Sequence, residues 1–457
     1  MTSVIVLATD LVAMSVVYWI AVLGRYSISP GYGLGFYLNL FPVVGVFPIA
    51  FLVQGLYPGV MLHPAEELRR VFCAVTTVCL IIATCTFFWH NAEAYSRSVF
   101  LATWLMGGPV VVFARHIARK IFSKRSWWGV AAVVVGSGPI ARRVAKSLRN
   151  ANLGVRVRGF LSEEQPHALD PDLDYLGDLS VAPELAGLGV AQYAIVAVPD
   201  KSKLELRHLI QDYCAGFRHI VLVPDLPGLC SLGMTAKEIG GEVGFEVPQH
   251  LFHPGADAAK RTVDLLLSGL LLALLSPIFV LVALAIKFTS KGPAFFGHVR
   301  YGRSGSTFKA IKFRTMLTNG DEVLKNHFAS NLTALSEWLR DQKLKDDPRV
   351  TPVGKFLRRY SIDELPQLIN VFRGEMSLVG PRPIVKAEIP RYGKGYGLYT
   401  RVIPGITGLW QVSGRNNTTY EERVRFDEYY VRNWSVWLDA HILARTVKVV
   451  LTGDGAY

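Results

Sequence analysis

VDLLLSGLLLALLSPIFVLVALAI, residues Val263 to Ile286, is a nearly unbroken apolar run in the second half of a 457-residue chain. Its uncharged part, Leu265 to Ile286, is long enough at about 1.5 Å per residue to cross the hydrocarbon core of a bilayer. Lys260 and Arg261 precede the run, and Lys287 and Lys291 follow it. Positive flanks mark the cytoplasmic side, so both ends are expected on one face of the membrane. Ser276-Pro277 at the middle supplies a break, because proline removes an intrahelical hydrogen bond. A re-entrant helical hairpin over 263–286 satisfies both observations. The plain spanning helix that hydropathy alone suggests would put the domains before and after it on opposite sides.

Upstream, four apolar stretches near Val4 to Leu23, Tyr37 to Leu56, Val71 to Trp89 and Ser98 to Ile117 each approach the ~20 residues of a spanning helix. Arg69 and Arg70 separate the second from the third, and Arg115, Arg119, Lys120, Lys124 and Arg125 close the fourth. The other connections carry only Arg25 and Arg97, so both ends of a four-helix preface, residues 1–125, are expected in the cytoplasm. Asp10 in the first helix is costly in lipid. Near the cytoplasmic end, snorkelling or a partner on another helix suffices to hold it, and a functional role is the alternative.

Hydrophobic residues make up 51% of the chain and the mean hydropathy is +0.29, too apolar for an ordinary soluble protein. The five cysteines, at 73, 79, 85, 214 and 230, form no CxxC pair, so neither a zinc site nor a disulfide framework is indicated. The net charge of +13 is concentrated in residues 260–457, where 29 Lys and Arg face 17 Asp and Glu. A basic surface beside apolar segments suits anionic lipid and phosphate substrates. No aromatic-interleaved motif supports nucleic acid.

Residues 126–255 read as a Rossmann-like α/β domain. Short β-rich runs (Val130 to Val135, Tyr193 to Val198, His219 to Val223) alternate with helical patterns at Ile140 to Arg149 and Lys203 to Cys214. The first turn, from Gly136 through Ser137, Gly138 and Pro139 to Ala141, is GxGxxA between strand and helix, where glycines let a phosphate approach the helix N-terminus. A nucleotide reading asks for an acidic ribose ligand about 20 residues on, and Glu163 and Glu164 stand near that place. Alternatively the glycines only make a tight turn and the domain organises a homodimer. Both readings stand at this point.

Beyond the apolar run the chain turns polar and rich in glycine, proline and arginine: GPAFFGHVRYGR (292–303), KFRTM (312–316) and DPR (347–349). Clustered Arg and Lys make charge-assisted, often bidentate bonds to phosphate, as a diphosphate donor requires. Adjacent carboxylates follow in Arg358-Arg359-Tyr360-Ser361-Ile362-Asp363-Glu364-Leu365-Pro366-Gln367-Leu368. A capping box from Ser361 to Glu364 would put Pro366 where an amide donor is needed. With Asp363 as the cap, Pro366 falls in the first turn, and the helix dipole and arginines are expected to keep Asp363 ionised while Glu364 holds a divalent cation. MSLVGPRP (376–383) and PGITGLWQVSGR (404–415) then present Arg382 and Arg415 on tight turns.

The ordered series KFRTM, DPR, DELPQL, MSLVGPRP and PGITGLWQVSGR resembles the bacterial sugar transferase family, the monotopic phosphoglycosyl transferases, over about residues 260 to 457. The four-helix and α/β preface, GPAFFGHVRYGR, KLKDDPR and the ending VVLTGDGAY are similar to its undecaprenyl-phosphate galactose phosphotransferases. This resemblance implies a multi-pass protein of the bacterial inner membrane, with a mainly helical catalytic domain at 256–457 whose site faces the cytoplasm. It implies a UDP-sugar donor, undecaprenyl phosphate as acceptor, Mg2+ as cofactor, Asp363 as covalent nucleophile and Glu364 as the residue that helps bind the metal. Lys312, Arg314, Arg382 and Arg415 are the expected phosphate ligands. Galactose rests on the resemblance alone, with UDP-glucose as the alternative. A membrane-anchored nucleotide-sugar dehydratase or epimerase is disfavoured, because no tyrosine has a lysine four residues on.

Overall fold

The computed structural model describes residues 1–28, 34–88, 96–148, 154–163, 174–198, 203–225, 234–240, 242–246, 255–331, 344, 347–414 and 418–452. The chain divides into two compact units, Met1–Pro227 and Gly228–Tyr457.

In the first unit, α1 (Thr2–Ile28), α4 (Pro64–Phe88) and α5 (Arg97–Phe122) are long apolar helices. The stretch Leu34–Val53 is built from α2 (Leu34–Leu40), a 3-10 turn and α3 (Val46–Val53). All four segments are long and apolar enough to cross a membrane. Met14, Phe51, Val75 and Val111 meet at their centre, while Val12, Leu80 and Phe113 point outward. Asp10 is fully buried and has the helix partner that its position allowed. Arg115 Nε and Nη2 donate to its two oxygens at 2.8 and 2.7 Å, and Tyr57 Oη donates to Oδ2 at 2.6 Å. Arg115 Nη1 also reaches Glu67 at 3.1 Å, and Arg119 closes the cluster on the same carboxylate. A buried charge needs such pairing.

The same unit contains a five-stranded, all-parallel sheet of order β3-β2-β1-β4-β5. Its strands are β1 (Val130–Val135), β2 (Val155–Leu161), β3 (Tyr175–Gly177), β4 (Tyr193–Val196) and β5 (His219–Leu222). β1 is buried on both faces, with Val134 packed among Ala141 and Ile195 and Val133 among Ala194 and Leu209, which explains its unbroken apolar run. α6 (Pro139–Leu148) follows the glycine turn, α7 (Ala182–Gly187) precedes β4 and α8 (Lys203–His208) precedes β5. A Cβ on Gly136 would lie 2.6 Å from the Ala197 carbonyl, so the close approach there demands glycine. Glu163 sits just past the end of β2, and Glu164 lies outside the described residues. Val60 and Met61, from the connection between α3 and α4, pack on the sheet's hydrophobic core. The apolar helices and the α/β region fall within one compact unit.

The second unit opens with a hairpin, β6 (Thr235–Ile239) and β7 (Glu242–Glu246), followed by α9 (Ala256–Thr289). α9 is a fifth helix long and apolar enough to cross a membrane. Its backbone stays helical through Pro277, so the expected chain break at Ser276-Pro277 does not occur. Ser276 explains the continuity: its Oγ donates at 2.8 Å to the Ala273 carbonyl, the acceptor that proline leaves without an amide. Both ends of α9 pack on the rest of this unit. Arg261 donates to the Val371 and Phe372 carbonyls at 2.6 and 2.7 Å, and Asp264 accepts from Leu378 N at 3.0 Å. Toward the other end, Ile286 is buried with Phe313 and Leu357. Leu266, Leu270, Leu274 and Leu281, between those anchors, are exposed. The remainder is mainly helical, with an antiparallel hairpin, β8 (Phe295–Tyr301) and β9 (Thr307–Phe313), and a short parallel pair, β10 (Ser377–Val379) and β11 (Gly405–Thr407).

Candidate active site

The helix Pro352–Arg359 is capped by Thr351, whose Oγ1 accepts from Gly354 N at 3.0 Å, and it begins on proline, where no amide is missed. It ends at Ser361, which takes a left-handed conformation (φ 55°) that serine adopts only under constraint. The chain then runs as tight 3-10 turns, Glu364 N donating to Ser361 O and Leu365 N to Ile362 O, until the helix Gln367–Arg373 starts. Neither Ser361 nor Asp363 caps that helix. Pro366 occupies the N-cap, because it has no amide to lose there. Asp363 and Glu364 are thus presented on a constrained turn between two helices. Asn370 pins the second helix to β9, donating to Lys309 O at 2.8 Å and accepting from Ile311 N at 3.0 Å.

The pairing of β8 with β9 sets Phe296 opposite Lys312 and His298 opposite Ala310, and alternation puts Arg300 on the same face. That face meets the turn and the Arg382-Pro383 segment in a cleft lined by Arg300, Lys312, Glu364, Gln367, Arg382 and Ile406. Lys312 Nζ lies 2.7 Å and Arg382 Nη2 3.4 Å from Glu364 Oε1. Burial alone would raise the Glu364 carboxyl, but the charges of Arg382 and Lys312 overcome it and bring it down to about 2. Asp363 goes the other way. Burial and the adjacent Glu364 charge push it up to about 6, and Lys312, Arg358 and Arg382 offset only part of this. The expectation that nearby arginines hold Asp363 low thus meets a larger opposing effect, although at neutral pH the carboxylate is still mostly ionised. Among the described residues the Asp363 side chain makes no hydrogen bond or ion pair.

Lys312, Asp363, Glu364 and Arg382 are brought together. Arg314 points elsewhere: it is buried, and its Nη2 donates to the Ser290 carbonyl and Oγ at 2.8 and 2.9 Å. Arg415 lies outside the described residues. Arg300 and Arg358 are near the carboxylates without having been singled out from the sequence, although the two-residue alternation of FFGHVRY would have set Arg300 on the same face as His298. Mg2+ characteristically takes one or two protein carboxylates and completes its shell with substrate phosphates and water. Glu364 with Asp363 beside it fits that mode, and no group of three or more His, Cys, Asp or Glu among the described residues offers a closed cage.

Comparison with known proteins gives this geometry a family. The family described as Bacterial sugar transferase matches residues 255–453, and one described as CoA-binding domain matches 54–224. The undecaprenyl-phosphate galactose phosphotransferase of Salmonella typhimurium is 36% identical over 397 residues, 86% of this chain and 82% of that protein. The UDP-glucose:undecaprenyl-phosphate glucose-1-phosphate transferase of Escherichia coli is 34% identical over 71% of this chain and 68% of its own length. The exopolysaccharide production protein ExoY of Sinorhizobium fredii is 49% identical over 49% of this chain and 100% of its own length. With its adjacent carboxylates on one turn beside a cationic cleft that Glu364 lines, and with a likeness that runs through most of its length, the chain belongs to the bacterial sugar transferase family and is a phosphoglycosyl transferase.

Proposed function

We propose that the enzyme transfers galactose-1-phosphate from UDP-galactose to undecaprenyl phosphate and releases UMP. This would be the first membrane step of O-antigen, capsule or exopolysaccharide synthesis. One observation carries the mechanism: of two adjacent carboxylates, Glu364 is neutralised by Lys312 and Arg382 while Asp363 has no side-chain partner among the described residues. An ionised, unpartnered carboxylate has a lone pair available for attack. An Asp363 oxygen forms a bond to the sugar-bearing phosphorus, the bond from that phosphorus to the UMP oxygen breaks, and UMP leaves with the electron pair. A phosphate oxygen of undecaprenyl phosphate then attacks the same phosphorus and frees the Asp363 carboxylate. Lys312 and Arg382, with Arg415 as a further candidate, would balance charge on the phosphate oxygens. Mg2+ held by Glu364 would neutralise the donor diphosphate.

UDP-glucose is the second reading, favoured by the glucose-1-phosphate transferase of E. coli among the relatives. In this proposal the protein sits in the bacterial inner membrane as a homodimer, with four spanning segments in residues 1–125, an α/β domain in 126–255 and the catalytic domain in 256–457. Its site faces the cytoplasm. α9 would re-enter by bending at Ser276-Pro277, a reading supported by the basic flanks and by the anchoring of both its ends on one unit. Incubating purified enzyme with Mg2+, undecaprenyl phosphate and a panel of UDP-sugars, and measuring UMP release, tests the reaction and its sugar. Preference for UDP-glucose overturns the galactose assignment, and release from no UDP-sugar overturns the reaction.

A further inference from the structure

Arg300 is the cation of the cleft that Glu364 does not bind: Lys312 and Arg382 hold that carboxylate, whereas Arg300 Nη1 donates to the Pro383 carbonyl at 3.2 Å and lies 3.8 Å from Glu388 Oε2. Burial and the neighbouring Arg382 both disfavour its charge. A half-buried guanidinium beside another arginine is stable when an anion completes the cluster. Glu388 supplies one from behind the cleft, and it is itself held at both oxygens. Its Oε2 accepts from Val385 N at 3.0 Å, and its Oε1 accepts from Arg423 Nη1 at 2.9 Å. Arg423 in turn lies over the rings of Trp410 and Tyr420, 5.0 and 5.1 Å from their centroids, and its buried Nε and Nη2 have no hydrogen-bond partner among the described residues. Aromatic faces together with the Nη1 bond to Glu388 set the orientation of this arginine.

We propose that Arg300 binds a substrate phosphate in the cleft, and that Glu388 and Arg423, with Trp410, are positioning residues that aim its guanidinium. The relay ties the segment carrying Ile406 and Trp410 to the face carrying Arg300, so one packed unit sets both walls of the cleft. The phosphate is that of the UDP-sugar donor or that of the lipid acceptor. The inference rests on the proposed reaction.

The test measures full-length enzyme in two arms. One follows UMP release from UDP-sugar and Mg2+ without acceptor. The other follows steady-state turnover as undecaprenyl phosphate is varied. Arg300→Gln is expected to lower the apparent second-order rate constant in one arm by roughly 10- to 100-fold, the loss of a charge-assisted contact. A defect without acceptor identifies the donor diphosphate, and a defect confined to the acceptor arm identifies the lipid phosphate. Glu388→Gln is expected to raise KM for that substrate more than it lowers kcat. The double variant is expected to be no worse than Arg300→Gln alone, because a positioning residue has nothing left to aim. Arg300→Lys, which keeps the charge, should recover part of the loss and guards against misfolding of the first variant. If Arg300→Gln is unimpaired in both arms while wild type releases UMP, or if the two defects are fully additive, the inference is overturned. Wild type that releases no UMP from any UDP-sugar overturns the reaction instead.

Discussion

Asp363 and Glu364 are covalent neighbours with opposite electrostatic surroundings, and that difference predicts how each responds to substitution. Asp363→Asn keeps the shape of the turn and removes the nucleophilic oxygen, so turnover should fall by ~10³-fold or more while donor binding persists. Wild type given labelled UDP-sugar and Mg2+ without acceptor should release about one UMP per site and retain the labelled sugar phosphate, and Asp363→Asn should do neither. Label that never stays on wild type would point to direct transfer. Since burial raises Asp363 to about 6, the acceptor-free reaction should lose about tenfold in rate per pH unit below that value, which a rapid-quench series from pH 5 to 8 would measure. Stability responds with the opposite sense. The folded protein holds this proton more tightly than the unfolded chain, so stability drops as pH climbs from about 4 to 6. Asp363→Asn should accordingly be more stable than wild type at neutral pH by on the order of 1–3 kcal/mol, seen as a higher Tm. The carboxylate pair was legible in the sequence because two adjacent acids stand in a basic run. The separation of their charges was not, since it depends on Lys312 and Arg382, which only folding delivers.

Among the elements, α9 shows what periodicity and charge can and cannot reveal. Its length, its apolar character and its basic flanks were all visible. Its continuity was not, because that depends on one Ser276 hydroxyl reaching the Ala273 carbonyl. If α9 re-enters, cysteines placed at the exposed positions Ala259 and Lys291 should both react with a membrane-impermeant reagent only from the cytoplasmic side, in a background stripped of native thiols. Periplasmic labelling of one and not the other would establish a simple span. In the first unit, the glycine turn and its strand–helix alternation were readable as a parallel sheet. β2 and β3 escaped notice, because Val155–Leu161 is interrupted by arginines and Tyr175–Gly177 is only 3 residues long.

At the scale of the whole molecule, ExoY of S. fredii matches only about half of this chain while using all of its own length. A fragment beginning near residue 255 should therefore retain some turnover in the UMP assay, and a well-folded fragment with none would show that the preface contributes to the site. The ion cluster of Asp10, Glu67, Arg115 and Arg119 ties α1, α4 and α5 together. Arg115→Met leaves buried Asp10 without a counter-charge and Glu67 with Arg119 alone, and should cost about 3–5 kcal/mol, measured as a lowered Tm in detergent. The packing of Val60 and Met61 on the sheet also has a consequence for biogenesis. These residues leave the ribosome long before β1 does, yet they complete the core that β1, β2 and β4 build later. If the flanking helices span the bilayer as proposed, the sheet's core is complete only when that short connection lies on the sheet's own side. Correct insertion would then act as a checkpoint for the domain that follows, and a chain inserted upside down would carry an unfinished core, open to quality-control proteolysis.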